Sequence, residues 1–150
     1  MKKSLLFLLI TILLSGCSWQ EYFVLENNSD SSIVVSYSLS QANGFPIFDE
    51  ADAYMATSSG EVDWNKKITI DDSDTSALGF QFMLPPNSIL TFGHLSNDHY
   101  SNWSQQFING RVFNFKMMQI KMKDRNITIS KDSFDSFFKK KNGYIKFRVK

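Results

Sequence analysis

The residues best equipped for chemistry are few and scattered. Asp71-Asp72-Ser73-Asp74-Thr75 sets carboxylates and hydroxyls side by side in one short run. Oxygen donors at alternate positions suit a calcium ion, which makes Asp71, Asp72 and Asp74 the candidate metal ligands. The run lacks the glycine at the sixth position and the later bidentate glutamate of an EF-hand loop, and its simplest reading is a solvated turn. His94 and His99 are the only histidines. Their spacing misses the i, i+4 geometry that puts two ligands on one helical face, so no zinc site is expected. There is no Gly-x-Ser-x-Gly elbow and no phosphate-cradling glycine loop, and no residue is singled out as catalytic. Paired carboxylates for glycoside hydrolysis need proximity only in space, which spacing along a chain does not reveal. Trp64 and Trp103 are candidates for a sugar-stacking platform, although aromatics at strand or helix spacing more often pack in a core.

Cys17 is the one cysteine, so no intramolecular disulfide can form. It follows Lys2, Lys3 and a run from Leu5 to Leu14 that is apolar apart from Thr11. As a helix that run spans about 15 Å, half of the roughly 30 Å hydrocarbon core of a bilayer. A positive start, a short apolar stretch and small residues before a cut site are the parts of a secretory signal. The ending Leu14-Ser15-Gly16-Cys17 resembles the lipobox of bacterial lipoproteins. The resemblance implies cleavage between Gly16 and Cys17, a diacylglyceryl group on the Cys17 thiol, and acylation of the freed amine. One acyl chain binds a membrane marginally, and two or more hold firmly. The expected organisation is a signal peptide over 1–16, a lipidated N-terminus and short tether over 17–20, and a single β-rich domain over 21–150. Ser18 in place of Asp is, by the same resemblance, compatible with the outer membrane. No cofactor is expected beyond the covalent lipid on Cys17. Trp19 is placed for the membrane interface, where tryptophan concentrates.

Removal of residues 1–16 leaves 134 residues, enough for one domain with its own core. Fourteen Phe, five Tyr and three Trp favour pleated, half-buried surfaces. The near-neutral total hides an asymmetry. Ser18 to Tyr100 holds 12 acids and 2 bases, a net of −10, whereas Ser101 to Lys150 holds 3 acids and 12 bases, a net of +9. Strands from the two halves lying side by side would let these charges alternate across a sheet. Segregated acidic and basic faces are the rival reading. Nucleic acid is not an expected partner of an exported chain.

Glu21 to Glu26 reads as a strand, and Asn27-Asn28-Ser29-Asp30 as a turn. Ser32 to Leu39 alternates Ile33, Val35, Tyr37 and Leu39 with polar neighbours, the pattern of a half-buried strand. The two are expected to form a hairpin. Ser40 to Asp63, with Gly44, Pro46, Gly60 and the acids Asp49, Glu50 and Asp52, is expected to be a long loop with a helical turn near Glu50–Met55. Strands follow at Trp64–Ile70, Leu78–Leu84 and Ile89–Leu95. Asn97 to Gly110 carries Tyr100, Trp103, Phe107 and Ile108 at helical spacing, with Asp98 as its cap. Arg111 to Lys123 reads as the longest strand, and Asn126 to Ile129 as its neighbour.

From Ser130, Phe134, Phe137, Phe138 and Lys141 fall at i, i+3, i+4 and i+7, which predicts a second helix. Its acids Asp132 and Asp135 lie at the start and Lys139-Lys140-Lys141 at the end, as the helix dipole prefers. The alternative is a type I′ hairpin at Asn142-Gly143. That hairpin would set Lys139 against Lys146, and the helix is preferred for that reason. Tyr144 to Val149 is the final strand.

The expected fold is mainly β, or α+β: an antiparallel sandwich or strongly bent sheet with one or two short helices. The run Asn27-Asn28-Ser29-Asp30-Ser31-Ser32-Ile33-Val34-Val35 and the later Leu84-Pro85-Pro86-Asn87-Ser88-Ile89-Leu90 are similar to those of small envelope lipoproteins with a β-sandwich domain. Three functions follow as expectations. The first is a lipid-tethered, non-enzymatic module that binds a protein or glycan partner, with Ser40–Asp63 as its contact. The second is a periplasmic inhibitor or immunity-type lipoprotein acting through acidic residues on a basic partner. The third is a small hydrolase whose site one sequence does not disclose.

Overall fold

Alternation of apolar and small polar residues gives Ile33–Leu39 one fully buried face and one half-open face, position by position. Further strands, some of them buried on both faces, assemble with it into sheets. The computed structural model describes residues 18–70, 78–101, 107 and 110–150. In chain order the first strands are β1 (Gln20–Asn27), β2 (Ile33–Leu39), β3 (Phe45–Pro46), β4 (Phe48–Ala56), β5 (Val62–Ile68) and β6 (Gly79–Leu84). They continue with β7 (Ser88–Ser96), β8 (Arg111–Val112), β9 (Phe115–Lys121) and β10 (Asn126–Ser130). A one-turn helix, α1 (Phe134–Phe137), precedes β11 (Lys139–Lys141) and β12 (Tyr144–Val149).

A six-stranded sheet in the order β11-β12-β1-β7-β4-β5 faces a four-stranded sheet in the order β10-β9-β2-β6. Phe23, Leu25, Leu90, Phe92 and Ile145 from the first meet Val35, Phe82, Met118 and Ile120 from the second in one buried cluster. The expected β sandwich is what the chain forms. Phe134 and Phe138 stack at 4.2 Å, and Phe134 meets Phe113 and Phe115 edge-on. The single turn of α1 thus supplies a large aromatic side chain to the core.

Four local expectations are corrected. First, β1 and β2 do not pair with each other: they lie in different sheets. Asn27 makes the corner between them, donating from Nδ2 to the carbonyls of Ser31 and Leu84 at 2.9 and 3.0 Å. Second, the supposed loop at 40–63 contains β4, which pairs with β7 and β5. No helical turn forms near Met55, because Ala53 is fully buried at a mid-sheet position. Third, the long strand expected over Arg111–Lys123 is broken at Phe113-Asn114. The Asn114 side chain takes over backbone pairing there, accepting from Ile47 and Phe48 N–H at 3.2 and 3.0 Å and donating to the Phe48 carbonyl at 2.8 Å.

Fourth, the C-terminal helix stops at Phe137, and Lys139–Lys141 is a strand. Asn142 and Gly143 both take positive φ, 51° and 78°, as a tight hairpin turn requires. Lys139 does stand opposite Lys146. The repulsion is relieved because each ammonium turns elsewhere. Lys139 Nζ donates to the Asp135 carbonyl at 2.5 Å, and Lys146 Nζ pairs with Glu26 Oε2 at 3.0 Å. In the stretch expected as the first helix, Asn97 to Ser101 is non-helical, and Asp98 Oδ1 accepts from the His99 N–H at 2.9 Å; residues 102–106 and 108–109 lie outside the described residues.

Candidate functional site

Among the described residues, the parallel neighbours in the large sheet are β1 and β12, and their register sets Val24 beside Lys146 and Glu26 beside Arg148. An acid from the negative half of the chain therefore meets bases from the positive half. Glu26 is 2 % exposed and accepts from Lys146 Nζ at 3.0 Å and from Arg148 Nε at 2.9 Å. Charge-assisted bonds of this kind are what allow a carboxylate to be buried. Lys146 Nζ also donates to the Gly60 carbonyl at 2.5 Å, which ties the tip of the β4–β5 hairpin to the sheet. Gly60 has φ +76°, and a Cβ there would stand 2.5 Å from Arg148 Nη2, so only glycine suits this tip.

Side chains on alternate positions of β11 and β12 point to one side of the sheet. Lys139, Lys141, Lys146, Arg148 and Lys150 thereby line an open groove of about 410 Å³, closed on its other side by Ser59 and Glu61. Lys141 has no ion-pair partner among the described residues. Tyr144 forms part of the wall. Burial, and next the negative charge of Glu61, push its phenol above the ordinary value, against an opposing hydrogen bond with Trp64, so it stays a neutral hydroxyl. Trp64 is 45 % exposed and packs on Tyr22 and Tyr54 at 4.8 and 5.1 Å. The groove thus joins a row of cations to a half-exposed aromatic edge, a combination suited to an acidic sugar chain.

A second cluster occupies the end of the sheet where β1 starts. Glu21 is 3 % exposed and is reached by His99 Nδ1 and Lys140 Nζ, each at 2.6 Å, and by the Tyr100 N–H at 2.8 Å. Burial alone would raise the pKa of this carboxyl. The bonds from Lys140, His99 and the Tyr100 amide outweigh it and hold the pKa below 4.5. Trp19 stacks on His99 at 4.9 Å with the rings 13° from parallel.

Among the sequence candidates, Gly16, Cys17, Asp71, Asp72, Asp74 and Trp103 lie outside the described residues. Among the described residues no group of three or more His, Cys, Asp and Glu side chains is placed to hold a metal ion. His94 lies beside Tyr22, while His99 is the partner of Glu21. Two of the acids in the 40–63 stretch are paired within the chain, Asp52 with Lys67 at 2.6 Å and Asp63 with Lys66 at 3.3 Å. The groove cations escaped the sequence reading because Lys139–Lys141 looked like a helix end. The signal that finds them is the i, i+2, i+4 spacing of Lys146, Arg148 and Lys150 after an Asn-Gly turn.

Residues 1–18 match the family described as the prokaryotic membrane lipoprotein lipid attachment site. The chain carries a bacterial lipoprotein signal. That signal marks a lipid-anchored envelope lipoprotein. No curated protein and no solved structure matches the chain significantly.

Proposed function

We propose that this lipoprotein is cut after Gly16, acylated at Cys17 and held at the outer membrane, and that its domain is a non-enzymatic module for an acidic envelope glycan. The likeness to small β-sandwich lipoproteins of the envelope belongs to the same reading. The groove of β11 and β12 is the observation that carries it: five cations face one lining acid, with Tyr144 in the wall and Trp64 beside it. Carboxylate or phosphate groups on a sugar chain would meet Lys141 and Lys139, and a sugar face would meet the aromatic edge. The acids of the 40–63 stretch give less support to an inhibitor role, since Asp52 and Asp63 already have partners.

The test uses the full chain extracted from membranes into detergent. Tryptophan fluorescence is titrated with an oligogalacturonate and, in parallel, with a neutral dextran oligomer of the same length. Saturable binding of the acidic oligomer alone, weakened by salt and lost in Lys139→Glu/Lys141→Glu, is the expected result. Equal response to both oligomers, or to neither, would remove the glycan reading. Intact mass of the same extract reads the anchor: loss of residues 1–16 plus acyl groups, abolished by Cys17→Ala.

A further inference from the structure

The anchor signal and the fold meet almost without a spacer. β1 begins at Gln20, and Trp19 is already held by the body of the protein. Asn97 N–H donates to the Trp19 carbonyl at 3.0 Å, and the Trp19 N–H reaches Asn97 Oδ1 at 3.3 Å. These bonds extend the β1–β7 ladder by one step beyond Gln20 and Ser96. The indole is fixed too: its Nε1 donates to the Asp98 carbonyl at 3.2 Å, and its ring stacks on His99.

Two residues of chain reach at most about 7 Å from Cα to Cα. The headgroup layer of one leaflet is roughly 5–7 Å thick. A residue tied to Cys17 by one intervening serine therefore cannot leave that layer by much while the acyl chains stay inserted. From these limits, and resting on the acylation of Cys17 proposed above, we infer that Trp19 sits in the lipid headgroup layer. The sheet end that it shares with the Asn142-Gly143 turn then rests on the bilayer surface.

The chemistry of this end suits the position. Trp19 is 43 % exposed, and its one polar group is already bonded, so the open part of the ring is apolar. Amphipathic rings of this kind favour the headgroup level. The Asn142-Gly143 turn lies alongside, with Tyr22 N–H bonded to the Gly143 carbonyl at 2.9 Å. Lys141 stands exposed at the end of its strand next to that turn, free to meet anionic headgroups. Of the acids here, Glu21 is buried and paired with Lys140, and Asp98 is buried, so neither carboxylate stands at the surface. Orientation follows. The groove opens at the membrane beside Lys141 and rises along β12 for about 20 Å.

The experiment reconstitutes the full chain in vesicles of phosphatidylethanolamine and phosphatidylglycerol. Trp64→Phe and Trp103→Phe leave Trp19 as the only tryptophan, excited apart from the five tyrosines at the red edge of its absorption. Brominated phosphatidylcholine is added with the bromine either near the top or near the end of the acyl chain. Loss of Trp19 emission, larger for the upper bromine, is the expected result. An emission unchanged by either lipid, in protein whose intact mass shows acylated Cys17, would overturn the docking and leave the anchor standing. A mass without acyl groups would instead remove the anchor reading and this inference with it. A dye on Lys141→Cys in otherwise native protein gives a second reporter: a blue shift on vesicles supports the docking, and an unshifted spectrum on acylated protein refutes it.

Discussion

Glu21 and Glu26 stand on the same strand and both are almost wholly buried, yet they are bonded in different ways. Glu21 lies at the anchor end and is bonded to a backbone amide as well as to Lys140 and His99. Glu26 lies at the far end of β1, and the side chains of Lys146 and Arg148 bond to it. Those two side chains are 23 % and 41 % exposed and can turn to water if the carboxylate is lost. The Tyr100 amide cannot. One glutamate therefore fastens irregular chain, Asp98 to Tyr100, against the sheet. The other fastens groove cations that remain at the surface.

The difference sets the order of expected effects. Glu21→Ala leaves a buried amide without an acceptor and frees the segment that carries His99, and it should cost about 3 kcal/mol. Glu26→Ala should cost about 1–2 kcal/mol, because its partners keep access to solvent. Urea unfolding of the full chain in detergent measures both. Equal losses would break the comparison, and a larger loss at Glu26 would invert it.

Acid sharpens the same contrast. The Glu21 carboxyl is held below 4.5 in the folded protein, so the unfolded chain binds its proton first as pH falls. Its contribution to stability is whole above 4.5 and is lost as pH drops through the lower folded value. The urea midpoint of the wild type should therefore fall more steeply below about pH 5 than that of Glu21→Gln, which has no carboxyl to titrate. Parallel curves for the two proteins would show that Glu21 is not held in its charged form by the fold.

How much of this was legible in the sequence depends on the range of the interaction. β2 is read from alternation alone, because one of its faces packs on the core, whereas β6, β7 and β12 are read as apolar runs between turn residues. The anchor was legible because a peptidase and an acyl transferase read a local motif, Leu14 to Cys17. The charge asymmetry was legible as composition, and side-by-side strands were the favoured explanation. Which acid meets which base was not, since Glu26 and Lys146 are joined by a parallel pairing that no local pattern encodes. β4 was hidden by Asp49 and Asp52, whose strand position is dictated by β5 and β7 on either side. The β11 strand was hidden by a repulsion argument that ignored the partners of Lys139 and Lys146. Of the candidate site, Trp64 was noticed, but its setting beside Tyr144 and the groove comes from tertiary structure alone.

The smallest effect on stability is the most informative about the groove. Lys141 is exposed, and unlike Lys140 and Lys146 it has no ion-pair partner among the described residues. A cation that does no structural work loses nothing when neutralised, so Lys141→Gln should change unfolding free energy by less than about 0.5 kcal/mol. Binding should respond where folding does not. Affinity for the oligogalacturonate should fall about three-fold at low ionic strength, with the gap closing as salt rises, because exposed charges are screened over a Debye length. Lys146→Gln gives the opposite pairing of outcomes: it unfastens Glu26 and the Gly60 carbonyl, so it should lower stability before any change in binding is read. If Lys141→Gln left affinity untouched at low salt, the groove cations would be there for Glu26 and the hairpin tip rather than for a ligand.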